Sequence, residues 1–282
     1  MKKIKDAFPD LNRELKFIPL GKEKPQYLNS IEIQNFNNNG YIYPINIFNE
    51  NQITIYRNYF DKLLKKAMSM GWNTYDINGW HKNCPIIYDL VTNRNILNYV
   101  GDLLGDDLIL WGSHFFVKMP NDGKLVSWHQ DASYWPLTPS KTVTVWLAID
   151  DADEKNGAMK FIPRSHLHAQ LEFEDSVSDD NNVLYQKVTE AEKFGDPPVS
   201  VILNAGQNSL HSDWLLHGSD YNNSFKRRCG LTMRFASSEV KAYLGWNKNS
   251  IICKGTDKSG HWNNIPRRSS ETIPIFQNNL DA

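Results

Sequence analysis

The hydrophobic period of this chain changes at Gly105, and that change limits what it can fold into. Upstream, apolar residues recur at three- and four-residue spacing. Ile53, Tyr56, Phe60, Leu63 and Leu64 do so with Arg57, Lys62 and Lys65 between them, which predicts a helix from about Asn51. A second pattern runs from about Ile86 through Leu90, Ile96, Val100 and Leu103 to Leu104, and Gly105 stops it. A shorter helix is expected from about Ser30 to Gly40, with the Asn-rich "NFNNNG" read as a turn. Downstream, "DLILWGSHFFVKM" and "TVTVWLAID" are rich in β-branched and aromatic residues, as strands are. Further strands are expected over 198–203, 207–216 and 228–236, and Asn156-Gly157 predicts an antiparallel hairpin.

Helices followed by antiparallel strands imply an α+β chain. The expected arrangement is a single domain over 1–282. Its helical part covers about 1–105 and packs on the sheet of a jelly-roll core over about 106–245. The polar, acidic segment 171–196 reads as an insertion or lid, since function is the usual reason for a loop of that length.

Composition narrows the partners. The net charge is −1, from 31 basic and 32 acidic residues without a long basic run, which argues against nucleic acid and anionic membranes. No stretch reaches the roughly 20 apolar residues of a membrane span, and "MKKIKDAFPDLNREL" lacks the apolar segment of a secretory signal. Cys84, Cys229 and Cys253 are odd in number and widely spaced, which suits a reducing, cytoplasmic setting better than a disulfide framework or a zinc site.

Within "VSWHQDASYWPL" a polar cluster, His129-Gln130-Asp131, interrupts apolar and aromatic residues. A buried charge needs a partner. On a strand His129 and Asp131 share a face, with Trp128 and Gln130 turned away. Two histidines and a carboxylate on one face of an iron ion leave positions open for substrate and oxygen. His217, at the end of an apolar run, is the candidate second histidine; the plain alternative is a hydrogen-bonded or surface His–Asp pair. Arg228, eleven residues beyond His217, opens a strand on which Arg228, Gly230, Thr232 and Arg234 share a face. A guanidinium there could grip a distal carboxylate through two parallel hydrogen bonds, or it could belong to a solvated basic turn.

Taken together, "IEIQNFNNNGYIYPINIFNENQI", "VKMPNDGKLVSWHQD", "VWLAIDDADEKNGAMKFIPRSH" and "LLHGSDYNNSFKRRCGL" resemble, in order, segments of the phytanoyl-CoA dioxygenase family of Fe(II)- and 2-oxoglutarate-dependent oxygenases. The resemblance covers most of the chain and implies a double-stranded β-helix. It makes His129, Asp131 and His217 the iron ligands. Arg228 would hold the far carboxylate of 2-oxoglutarate, assisted by Ser219, with Lys118, Trp146 and Thr144 serving the same co-substrate. The family usually has glycine where Arg164 stands, so the turn before His166 is a point of difference.

The activity implied is hydroxylation of an unactivated C–H bond, with 2-oxoglutarate and O2 consumed and succinate and CO2 released. Halogenating relatives replace the carboxylate ligand with a small residue, and Asp131 is present here. A catalytically silent jelly roll is the reading from another class. A small polar metabolite is the expected substrate: an amino acid, an aminophosphonate or a natural-product intermediate. The residues after Asp131 do not look like the ectoine-hydroxylase signature, and no basic platform for coenzyme A stands out. Tyr134, Trp135, Phe116, His114 and Asp213 are the candidate substrate contacts, with His211 beside them. His166 and His168 are expected to be exposed.

Overall fold

Two asparagines start the helical part. The structure, a computed structural model, describes residues 5–176 and 181–275. α1 (Ser30–Asn39) and α2 (Glu50–Ser69) each open with a reciprocal capping box, Asn29 with Glu32 and Asn49 with Gln52. α1 stops at Gly40, whose φ of 90° only glycine adopts freely. The Asn run is not the expected turn, because it forms the end of α1. Asn37 is held there by tertiary bonds, accepting from the Leu20 N–H (2.8 Å) and donating to its carbonyl (2.7 Å). α2 buries Ile53, Phe60, Leu63, Leu64 and Ala67. The predicted helix over 86–104 is two helices, α3 (Pro85–Val91) and α4 (Arg94–Leu104). Apolar periodicity hid the break. Asn93 caps α4 by accepting from the Asn95 N–H, and that local bond competes with a continuous helix.

β1 (Tyr41–Asn46) lies between α1 and α2, and the other strands follow α4. These begin with β2 (Leu108–Lys118), β3 (Val126–His129), β4 (Leu137–Thr138), β5 (Thr142–Ala148), β6 (Met159–Phe161), β7 (Glu174–Asp175) and β8 (Gln186–Lys187). β9 (Val199–Ser200), β10 (Gln207–His211), β11 (His217–Ser219), β12 (Arg228–Ser237), β13 (Lys241–Ala242) and β14 (Ile251–Lys254) complete the set. One antiparallel sheet runs β1-β10-β5-β12-β2-β14 and a smaller one runs β3-β11-β6-β9.

Strand alternation divides the larger sheet. Val143, Val145, Leu147, Leu231, Met233 and Phe235 join Phe60, Ile96 and Val100 of the helices in the main core, where Phe60 stacks on Phe115 at 4.5 Å. Thr144, Trp146, Arg228, Thr232 and Arg234, on the opposite face, line a cavity shared with the smaller sheet. The turn at Asn156-Gly157 does not close a hairpin, because β5 and β6 belong to different sheets. Asn156 instead shapes the crossing, accepting from the Asp153 N–H and donating to the Asp151 carbonyl. The expected strand over 207–216 shortens to β10 on the larger sheet, with β11 on the smaller sheet beginning only after it, and that over 198–203 shortens to β9.

Segment 171–196 carries the β7–β8 ribbon, while its residues 177–180 lie outside the described residues. Leu171, Phe173, Val188 and Ala191 pack with Ile162 and Leu216. Arg164 takes the left-handed conformation, φ 71°, that glycine adopts more readily. His166 is buried, contrary to expectation: its Nε2 lies 3.0 Å from the Asn37 carbonyl and its ring meets Phe17 edge-on, tying this turn to α1. His168 is exposed. Among the described residues no helix is long and apolar enough to cross a membrane.

Buried Asp102 of α4 fastens the N-terminal segment, one carboxylate oxygen accepting the backbone N–H groups of Gln26 (2.9 Å), Tyr27 (2.6 Å) and Leu28 (2.8 Å). Asp102→Ala is expected to lower the unfolding free energy by roughly 2–4 kcal/mol, because charge-assisted bonds are lost and donors are left unmatched. Urea denaturation checks this, and a loss below about 0.5 kcal/mol would contradict it.

Candidate metal centre

His217 on β11 pairs directly with His129 on β3, and the two ring centroids lie 4.0 Å apart. Asp131 is not on a strand. β3 ends at His129, and Asp131 begins a one-turn 3₁₀ helix, Asp131–Tyr134. The alternation survives because Gln130 stays extended. Its amide points away from the cluster, donating to the Ala169 and Trp214 carbonyls and accepting from the Leu171 N–H. Asp131 Oδ1 therefore lies 3.7 Å from His129 Nε2 and 3.9 Å from His217 Nε2.

Each imidazole is held by its other nitrogen. His129 Nδ1 lies 2.8 Å from the Ser127 carbonyl and His217 Nδ1 lies 2.9 Å from that of Leu215. A carbonyl only accepts, so Nδ1 carries the proton and the Nε2 lone pairs face Asp131. Burial alone would raise the Asp131 carboxyl, and the positive charge of Arg234 acts against it. Burial, reinforced by His129, pushes His217 well below its ordinary value. A neutral imidazole and an ionised carboxylate are the forms that bind metal. The separations exceed a hydrogen bond, and the three donor atoms lie within 4.8 Å of one another. A divalent cation fits that donor set. Thr144 Oγ1, 3.3 Å from Asp131 Oδ2, orients the carboxylate.

The cluster opens into a cavity between the sheets. Arg228 is buried in its wall, with no hydrogen-bond partner at Nε among the described residues and its guanidinium over the Trp146 ring at 5.5 Å. That close layer depends on Gly230, where a Cβ would stand 2.0 Å from the Trp146 ring. Ser219, Thr144 and Phe116 also line the cavity.

Five expected contacts lie elsewhere. Lys118 is buried outside the lining, and its ammonium donates to the backbone carbonyls of Lys124 (2.9 Å), Ser219 (3.4 Å) and Asp220. Burial and neighbouring Arg228 push it down to about 7. Asp213 is buried, its carboxyl oxygens accepting from Ser140 Oγ at 2.7 and 2.8 Å, and burial raises it to about 6. Trp135 packs edge-on against Trp111. Tyr134, though 6.0 Å from the His129 ring, directs its hydroxyl to the Gln186 backbone. His114 Nε2 is bonded to the Tyr75 carbonyl at 2.6 Å. His211 does line the cavity, and among the described residues neither ring nitrogen has a hydrogen-bond partner. Arg234 also lines it, although no function was read for it in the sequence. Its even spacing from Arg228 was the available signal.

A family model described as Phytanoyl-CoA dioxygenase (PhyH) matches residues 36–230, more than half of the chain. A Stutzerimonas stutzeri protein named probable alpha-ketoglutarate-dependent hypophosphite dioxygenase is 31% identical over 173 residues, 58% of either chain. Peroxisomal phytanoyl-CoA dioxygenase of Homo sapiens is 25% identical, covering 54% of this chain and 46% of its own. The chain thus spans about half the length of the curated relatives it matches. The solved structure of the apo non-heme monooxygenase ThoJ superposes with a TM-score of 0.71 at 24% identity, covering 84% of this chain and 88% of its own. That of EctD from S. alaskensis superposes at 0.68 and 16% identity, covering 86% and 91%. These superpositions establish the fold: helices and antiparallel sheets in the arrangement of those two structures.

Gly230→Ala is expected to destabilise the protein by about 1–3 kcal/mol through overpacking against Trp146. The same change in a Trp146→Ala background should cost far less, since the clash is pairwise. Denaturation of the four proteins of this cycle checks it, and equal costs in both backgrounds would contradict it.

Proposed function

The chain belongs to the phytanoyl-CoA dioxygenase family, and on that premise we infer that it is an Fe(II)- and 2-oxoglutarate-dependent dioxygenase that hydroxylates a small polar metabolite. The observation that carries this is the convergence, in one cavity, of two Nε2 lone pairs, one carboxylate and a buried guanidinium without a partner among the described residues. His129, Asp131 and His217 hold the iron. Arg228 takes the far carboxylate of 2-oxoglutarate through parallel N–H donors. Ser219 offers a further hydroxyl, Trp146 supports the guanidinium, and Thr144 keeps Asp131 aimed. Lys118 serves from behind, anchoring the backbone that follows Ser219. Bound iron and 2-oxoglutarate supply, with O2, the oxidising chemistry that releases succinate and CO2. Phe116, Val126 and Met159 give the cavity an apolar wall that limits water around the reacting groups.

In this account the two sheets form a double-stranded β-helix, the helices pack on the larger one, and the chain acts as one domain. The free Cys84, Cys229 and Cys253 suit a cytoplasmic protein. Relatives named for hypophosphite and for ectoine are in keeping with a small polar molecule. A silent ligand-binding protein has no use for a carboxylate aimed at two imidazole lone pairs.

Purified protein with Fe(II), O2 and 2-oxoglutarate is expected to release succinate, faster with its substrate present. Arg228→Ala should raise the 2-oxoglutarate concentration required at least tenfold while iron binding is retained. Asp131→Ala should lose iron and hydroxylation together. Unchanged 2-oxoglutarate dependence in Arg228→Ala would show that this arginine does not bind the co-substrate.

A further inference from the structure

Arg228 and Arg234 lie six residues apart on β12, an even spacing that puts both on the cavity face. At the rise of a strand their Cα atoms are about 20 Å apart. Arg234 pairs directly with Thr144, the residue that orients Asp131. The two arginines therefore sit at different places along the cavity wall, and Arg234 is the one beside the carboxylate.

Among the described residues nothing satisfies Arg234. Among the described residues it makes no ion pair, and its Nε is sealed from solvent with no hydrogen-bond partner. Its guanidinium lies over the rings of Trp111 at 5.7 Å and Trp135 at 5.3 Å. Aromatic faces hold a guanidinium in place but accept none of its five N–H donors. Gly112, opposite it on β2, brings no side chain to that flank. Buried donors without acceptors are costly, and a planar fork held against two rings suits an oxyanion.

Charge points the same way. Beyond the imidazoles, the ionisable groups lining the cavity are Asp131, Arg228 and Arg234. A divalent iron and the dianion of 2-oxoglutarate cancel each other, and Asp131 offsets one arginine. One positive charge is left over. With Arg228 engaged by the co-substrate, the surplus resides on Arg234.

We propose that Arg234 binds the substrate through an anionic oxygen-bearing group, a carboxylate or a phosphorus oxyanion. This rests on the dioxygenase function above and adds the charge class of the substrate. Calorimetry under argon on the Fe(II) protein tests it, with 2-oxoglutarate titrated first, then methylphosphonate, acetate or uncharged acetamide. The wild type is expected to bind 2-oxoglutarate and at least one anion but not acetamide, and the tighter anion identifies the group. Arg234→Leu should keep 2-oxoglutarate binding and weaken the anion at least tenfold. Arg234→Lys, which keeps the charge and loses the fork, should weaken it less. If Arg234→Leu does not fold, Arg234→Lys must still weaken the anion relative to the wild type. Anion binding that is absent from the wild type, matched by acetamide, or unaffected by substitution overturns the proposal. Failure of the wild type to bind 2-oxoglutarate would instead overturn the function on which it rests.

Discussion

An ionised carboxylate buried against two imidazoles is the interaction around which this cavity is organised. Asp131 has no cationic side chain within ion-pair distance among the described residues, only the Nε2 atoms of His129 and His217 at 3.7 and 3.9 Å. Charge in such a place is costly without compensation. The Ser127 and Leu215 carbonyls fix each imidazole so that its lone pair, not its N–H, faces the carboxylate. Three electron-pair donors face one another, and a cation resolves the conflict. The polar cluster in an apolar stretch is thus explained by a partner that is not part of the chain.

The rest of the architecture keeps that arrangement in place. Alternation on β5 and β12 sends one set of side chains into the helical core and the other into the cavity. The helices stiffen the larger sheet from behind, and the smaller sheet carries both histidines as a direct cross-strand pair. Gly230 lets the Trp146 ring lie against β12, which places an aromatic face beneath Arg228. The two arginines share one strand face, so a single strand sets the distance between two guanidinium groups.

Local signals in the sequence were enough for much of this. Capping residues and apolar spacing located α1 and α2, and the alternation through His129, Gln130 and Asp131 anticipated the cluster even though β3 ends at His129. What stayed hidden depends on distant partners. Asn156-Gly157 is a turn, but only the pairing of β5 and β6 with other strands shows that it crosses between sheets. Lys118 has the parity of a cavity residue, yet the carbonyls of Ser219 and Asp220, a hundred positions on, take its ammonium. Asp213 is taken up by Ser140 and His166 by Asn37, choices that no local pattern encodes. Arg234 was legible by spacing, but only the structure shows that nothing among the described residues pairs with it.

The most direct test of the central claim is an anaerobic titration of the metal-free protein with Fe(II) and then 2-oxoglutarate, followed by visible absorption. A metal-to-ligand charge-transfer band that saturates at one iron and one 2-oxoglutarate per chain is the predicted result. Folded protein that binds iron and shows no such band would contradict the account.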